Sequence, residues 1–150
     1  MIQRVQSVYL FAGIVLSFAV IFSGIFFISD DTGNLVLGAL GVKEGGLLVD
    51  LPTMLPIVIL SALMIVLQVA AITQYKNRNL QANLTKLNMV LTFAVMAWLG
   101  FVYYSILQMG LSIIPFVGVF HTPLILFSSI LALRGISKDE SLVKSVDRLR

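Results

Sequence analysis

Within its apolar stretches this 150-residue sequence holds one side chain able to exchange protons near neutral pH, His121, followed by Thr122 and Pro123. An imidazole suits proton relay or metal ligation. A single histidine, however, supplies neither a bis-imidazole haem nor a two-histidine metal site within one chain. No Asp or Glu lies in the same stretch to orient the ring. His121 therefore reads as a structural histidine, with proton relay or ligand contact as the alternative. Gln68 and Ser61 form the other polar pair in apolar surroundings, seven residues apart and so on one helical face. In a cavity such a pair would contact a substrate. Between packed helices it makes interhelical hydrogen bonds, worth on average ~0.6 kcal/mol in membranes, and that is the reading adopted. Trp98 stands among apolar residues, where its indole N–H must find an acceptor on the bundle or on a partner. The chain has no cysteine, which removes thiol catalysis, iron–sulfur clusters and cysteine-ligated zinc. Phosphate-loop, H-E-x-x-H, G-x-S-x-G and dinucleotide-binding patterns are also missing. These residues point to no enzyme, no metal and no cofactor.

The elements that must position them are set by hydropathy. Apolar residues make up 59% of the chain and charged ones 11%, with a mean hydropathy of +1.02. Soluble domains carry about a quarter charged residues, and no water-soluble core of this size buries so much apolar surface. Four uncharged runs, 8–28, 54–73, 87–108 and 116–133, approach or exceed the ~18 residues that mark a transmembrane helix. The expected architecture is an all-α membrane protein, a four-transmembrane-helix bundle forming one domain over 1–150. The first run is longer than a signal-peptide core and lacks a small-residue cleavage site, so it reads as a retained span.

The connectors orient the bundle. Nine of the ten Lys and Arg residues lie before span one, between spans two and three, or after span four. By the positive-inside rule both termini and the second connector are cytoplasmic. The pI near 9.5 then needs no nucleic-acid partner. The outward loop 29–53 holds NLVLGAL and GLLVDL around KEGG, a candidate β-hairpin, since glycine supplies the turn angles that tight connections need. In the tail, 134–150, Gly135 suits a helix end and Ser137–Glu140 has the S-x-x-E spacing of a capping box. A short cytoplasmic amphipathic helix should follow, with Leu142, Val146 and Leu149 on one stripe and Lys144 and Arg148 elsewhere. Small residues line two stripes, Gly13, Ser17, Val20 and Gly24 in span one and Ala94, Ala97 and Gly100 in span three, where helices can approach closely. Pro123 is expected to kink span four.

Three segments, MIQRVQSVYL at the start, QYKNRNLQANLTKLN between spans two and three, and ISKDESLVKSVDRLR at the end, carry a resemblance over the whole chain. The sequence resembles the family known as domain of unknown function 4293. That resemblance implies four spans and a multi-pass place in the inner (plasma) membrane of a diderm bacterium. It implies no assigned activity, substrate or cofactor, and it carries over no site residue.

Beside it stands the reading of the residues themselves. The basic turn Lys76, Asn77, Arg78, then Leu80, Leu84 and Leu87 on one helical face, can pack with the tail residues Leu142, Val146, Arg148 and Leu149 into a partner-docking patch. The expected function is a non-catalytic accessory or scaffolding subunit of a larger membrane complex, its partners being the lipid bilayer and other membrane-protein subunits. The alternative is a small oligomeric transporter or channel. Against it, no charge lies within a span, and Pro115 and Pro123 have no counterparts deep inside spans one to three.

Overall fold

The computed structural model describes residues 2–30, 33–45, 52–75 and 77–147, and the side chains of 5–29, 33–42, 52–75 and 77–141. Its elements are α1 (Ile2–Phe22), β1 (Gly24–Asp30), β2 (Gly33–Gly38), β3 (Gly41–Gly45), α2 (Leu55–Thr73), α3 (Arg78–Gln108), β4 (Ser112–Pro115) and α4 (Val117–Asp147). All four helices are long and apolar enough to cross a membrane. Their order around the bundle is α1, α2, α3, α4, and α4 closes back on α1. The start of α1, the α2–α3 turn and the end of α4 gather at one end, called here the basic end. The four strands form a sheet at the other.

The second apolar run matches α2 almost to the residue, with Pro56 in its first turn, where an N–H is not needed. The first run does not. Its helix stops at Phe22, and Ile25–Ser29 are strand, paired with β2 on one side and β4 on the other. A continuous apolar run has no period that separates a buried strand from a helix. Here Ser23 and Gly24 break the helix, and the aromatic and β-branched residues that follow suit a strand. The all-α expectation is therefore amended by a four-stranded antiparallel sheet, in the order β3-β2-β1-β4.

The hairpin expectation also shifts. NLVLG is β2, but its turn is Ala39–Leu40 and Gly41 takes the positive φ of 113°, so the KEG residues belong to β3 rather than to the turn. GLLVDL lies outside the described residues. The third connector contributes β4, an edge strand ending in Pro115, a place that tolerates the missing N–H. Phe26, Ile28, Leu35, Leu37 and Ile113 turn to one side of the sheet and join Leu99, Val102 and Ile106 of α3 and Ile57 of α2 in the main core. The outer third of α3 thus serves as a backing for the sheet.

Helices α3 and α4 begin or end differently from the sequence expectation, which placed spans at 87–108 and 116–133. Asn77 caps α3, its side-chain oxygen accepting from the Leu80 N–H at 3.1 Å, so the helix starts at Arg78. Gly110, at φ 76°, terminates α3. Gly135 terminates nothing: α4 runs unbroken through it to Asp147, and Ser137 is inside the helix rather than its N-cap. The separate capped tail helix is therefore replaced by an extension of α4. Gly135 has a different use, because a Cβ there would stand 2.7 Å from Gln6 Cγ, and glycine lets α1 approach. Pro123 also sits within α4. Its missing N–H leaves the Val119 carbonyl without the usual donor, and the Thr122 hydroxyl donates there at 2.8 Å.

Burial divides the bundle lengthwise. The large apolar core, including Val20, Ile57, Val95, Leu99 and Ile125, fills the sheet half. Towards the basic end only a small apolar cluster of Leu10, Ala71 and Ala132 remains. Ile136 is buried there too, and the buried polar positions in this half are Gln6, Gln68, Gln81, Thr85, Asn88, Ser128, Ser129 and Asp139.

Candidate functional site

Four helices contribute to a polar layer near the middle of the bundle. On α2, Ile57, Ser61, Met64, Gln68 and Ala71 form the buried face, so Ser61 and Gln68 both point inward. The Gln68 carboxamide lies against Gly13 of α1, where a Cβ would stand 3.0 Å from Nε2 and 3.1 Å from Oε1. Asn88 of α3 donates through Nδ2 to the Ser129 hydroxyl of α4 at 3.0 Å. The antiparallel register of α1 and α4 brings these two pairs to one level. Gly118 faces Gly24 at the sheet end and Gly135 faces Gln6 at the basic end, which places Gly13 opposite Ser128 and Ser129.

Sequence reasoning found Gln68 and Ser61 but missed Asn88, Ser129 and the stripe to which Asn88 belongs. Gln81, Thr85, Asn88 and Thr92 are all buried and recur at four, three and four residues, the spacing of one helical face. Leu80 and Leu87, read as the packing face, are instead 40% and 48% exposed, with Leu84 half-buried. Over this stretch α3 turns polar residues inward, while its exposed positions are mixed, Leu80, Leu87 and Val90 alternating with Asn79, Asn83 and Lys86. The Thr85 and Thr92 hydroxyls donate to the carbonyls of Gln81 and Asn88 at 2.8 Å, which satisfies them within the helix.

At the basic end a second cluster joins three helices. Gln6 Nε2 donates to the Asp139 carboxylate at 2.6 Å, and Arg78 Nη1 donates to the Asp139 backbone carbonyl at 2.8 Å. Asp139 is buried, and Arg78 half-buried. Of the expected docking patch, then, Arg78 holds α3 to α4, and Leu80 and Leu84 lie on the flank of α3. Lys76, Arg148 and Leu149 lie outside the described residues. Leu142 and Val146 fall within α4, and their side chains are outside the description.

His121 lies near the sheet end of α4, half-buried, with Nδ1 buried and without a hydrogen-bond partner among the described residues. No group of three or more His, Cys, Asp or Glu residues able to hold a metal occurs among the described residues. Trp98 donates to the Thr53 carbonyl at 3.2 Å and packs against Phe101 with ring centroids 5.3 Å apart and planes tilted by 41°. Its acceptor is therefore the backbone just before α2.

The two small-residue stripes have opposite fates. Gly13, Ser17, Val20 and Gly24 are all buried inside the bundle. Ala94, Ala97 and Gly100 are all exposed, and nothing lies within 4 Å of where a Gly100 Cβ would be. Beside Gly100 an apolar groove of about 420 Å³ opens between α3 and α4, walled by Phe26, Leu99, Tyr103, Val119 and Phe120.

The family model described as Domain of unknown function (DUF4293) matches residues 2–149. No curated protein and no solved structure matches the chain.

Proposed function

We propose, for a chain that belongs to the DUF4293 family, a non-catalytic role as an accessory or scaffolding subunit that docks on another protein of a bacterial inner membrane. The observation that carries this reading is the outward stripe of Ala94, Ala97 and Gly100 on α3. Lipid-facing positions favour large apolar side chains, as the exposed Phe93, Phe101 and Tyr104 beside the stripe illustrate. Small residues let a second helix backbone approach closely, and in membranes that packing drives association. The bundle's own stripe on α1 is used in this way within the chain. The stripe on α3 is uncovered among the described residues, and the groove next to it can receive the side chains of an adjoining helix.

Replacing Gly100 by leucine should therefore reduce recovery of the co-purifying membrane protein about tenfold, equivalent to ~1.4 kcal/mol of association. Membrane abundance should be unchanged, because the side chain enters open space. Equal partner recovery from the variant and the parent would remove the docking role of α3.

In this proposal the basic end is cytoplasmic, which the grouping of Lys and Arg supports. An enzyme reporter active only outside the cytoplasm should be active when fused after Gly45 and inactive after Asn79. The reverse pattern would invert the orientation.

A further inference from the structure

We infer that the polar layer binds a water molecule that bridges the Gln68 and Asn88 carboxamides inside the bundle. Gln68 and Asn88 are each 1% exposed. Gln68 Nε2 and Oε1 and Asn88 Oδ1 nevertheless find no partner among the described residues. These atoms are brought to one level by the contacts of Gln68 with Gly13 and of Asn88 with Ser129, given the α1–α4 register.

The chemistry of the three atoms selects the ligand. Two are acceptors and one is a donor, all uncharged. A cation would meet the amide N–H of Gln68, and an anion would meet two carbonyl oxygens. Water donates twice and accepts once or more, so one molecule answers all three, close to the ~3 hydrogen bonds that buried waters usually make. On α3, Gln81 and Thr85 carry a polar line from Asn88 towards the Gln6–Asp139 pair, beside the apolar Leu10, Ala71 and Ala132. Towards the sheet Val20, Val95 and Ile125 surround a few buried hydroxyls, of which those of Ser17 and Thr92 donate to carbonyls of their own helices. This inference is independent of docking by α3.

The test is solid-state NMR of the full chain in lipid bilayers, reading magnetisation transfer from water to side-chain and backbone amides. The Gln68 and Asn88 carboxamides should receive it as Gln81 does, while the Val95 and Ile125 amides should not. In Gln68→Met, which keeps the side-chain length, transfer to Asn88 should fall at least about twofold through loss of the shared water's other partners. Absence of transfer to both carboxamides in the parent would overturn the inference, as would equal transfer to Val95. Undiminished transfer to Asn88 in Gln68→Met would overturn the bridge itself. Should that variant fail to fold, Asn88→Leu read at Gln68 gives the same decision.

Discussion

Gly118→Val is expected to lose the native bundle. Gly118 sits in the first turn of α4 against the α1–β1 connection. A Cβ there would stand 2.6 Å from the Gly24 carbonyl oxygen, 2.7 Å from Ser23 Oγ and 2.9 Å from Ile25 Cγ1. The nearest atom belongs to the backbone, so no rotamer change relieves the clash, and α4 must move off the sheet. Overpacking of this kind costs about 1–3 kcal/mol for added methylenes. Valine adds two methyl groups beyond the Cβ, so the loss should lie at or above the upper figure. Gly118→Ala should fall between parent and valine. Gly33→Ala should behave as parent, since nothing lies within 4 Å of its would-be Cβ and its φ is not positive. Thermal melts in mild detergent read the order directly. A parent-like melt for Gly118→Val would mean that α4 and β1 are not in contact.

The second large effect is expected at the basic end. Gln6→Leu removes the amide that donates to the buried Asp139 carboxylate and leaves that acceptor facing apolar atoms. A hydrogen bond to a charged group contributes about 1.5–3 kcal/mol, and a stranded partner adds its desolvation. The double variant Gln6→Leu with Asp139→Leu should recover part of the loss, because both polar partners then leave together. Arg78 continues to hold the Asp139 backbone carbonyl in every variant, which keeps α3 against α4 and isolates the α1 contribution. Strict additivity of the two single changes, measured as a double-mutant cycle, would show that Gln6 and Asp139 are not coupled.

How far the fold was legible depended on what each segment's pattern could distinguish. Helix α2 was readable because an unbroken apolar run with Pro56 at its start and no glycine admits one interpretation. The end of α1 was not, since Gly24–Ser29 are as apolar as the helix before them, and only pairing with β2 and β4 makes them strand. β4 was hidden for a related reason: four residues of edge strand have too little length for a pattern, and their partner is more than eighty residues away in sequence. Glycine at 135 carried the chemistry of a helix end, but a close approach by Gln6 uses glycine too, and sequence alone does not separate the uses. The polar layer was half legible. Gln68 stood out against its apolar run, whereas Gln81 and Thr85 fell in the connector with Arg78 and Lys86, and Asn88 and Thr92 fell in the apolar run 87–108, so that one buried face was divided between two segments. Their four-three-four spacing was the available signal. The outward turn of Ala94, Ala97 and Gly100 follows from which face of α3 the polar stripe occupies, so it became readable only with that stripe in place.

The account rests on the outward face of α3 being covered by another membrane protein. The direct measurement is photo-crosslinking in living cells from a probe residue placed at Ala97, with Val66, equally outward on α2, as the reference position. The account predicts a discrete adduct with one different membrane protein from position 97 and none from position 66. Adducts with lipid alone at both positions, or with a second copy of this chain alone at position 97, would contradict it.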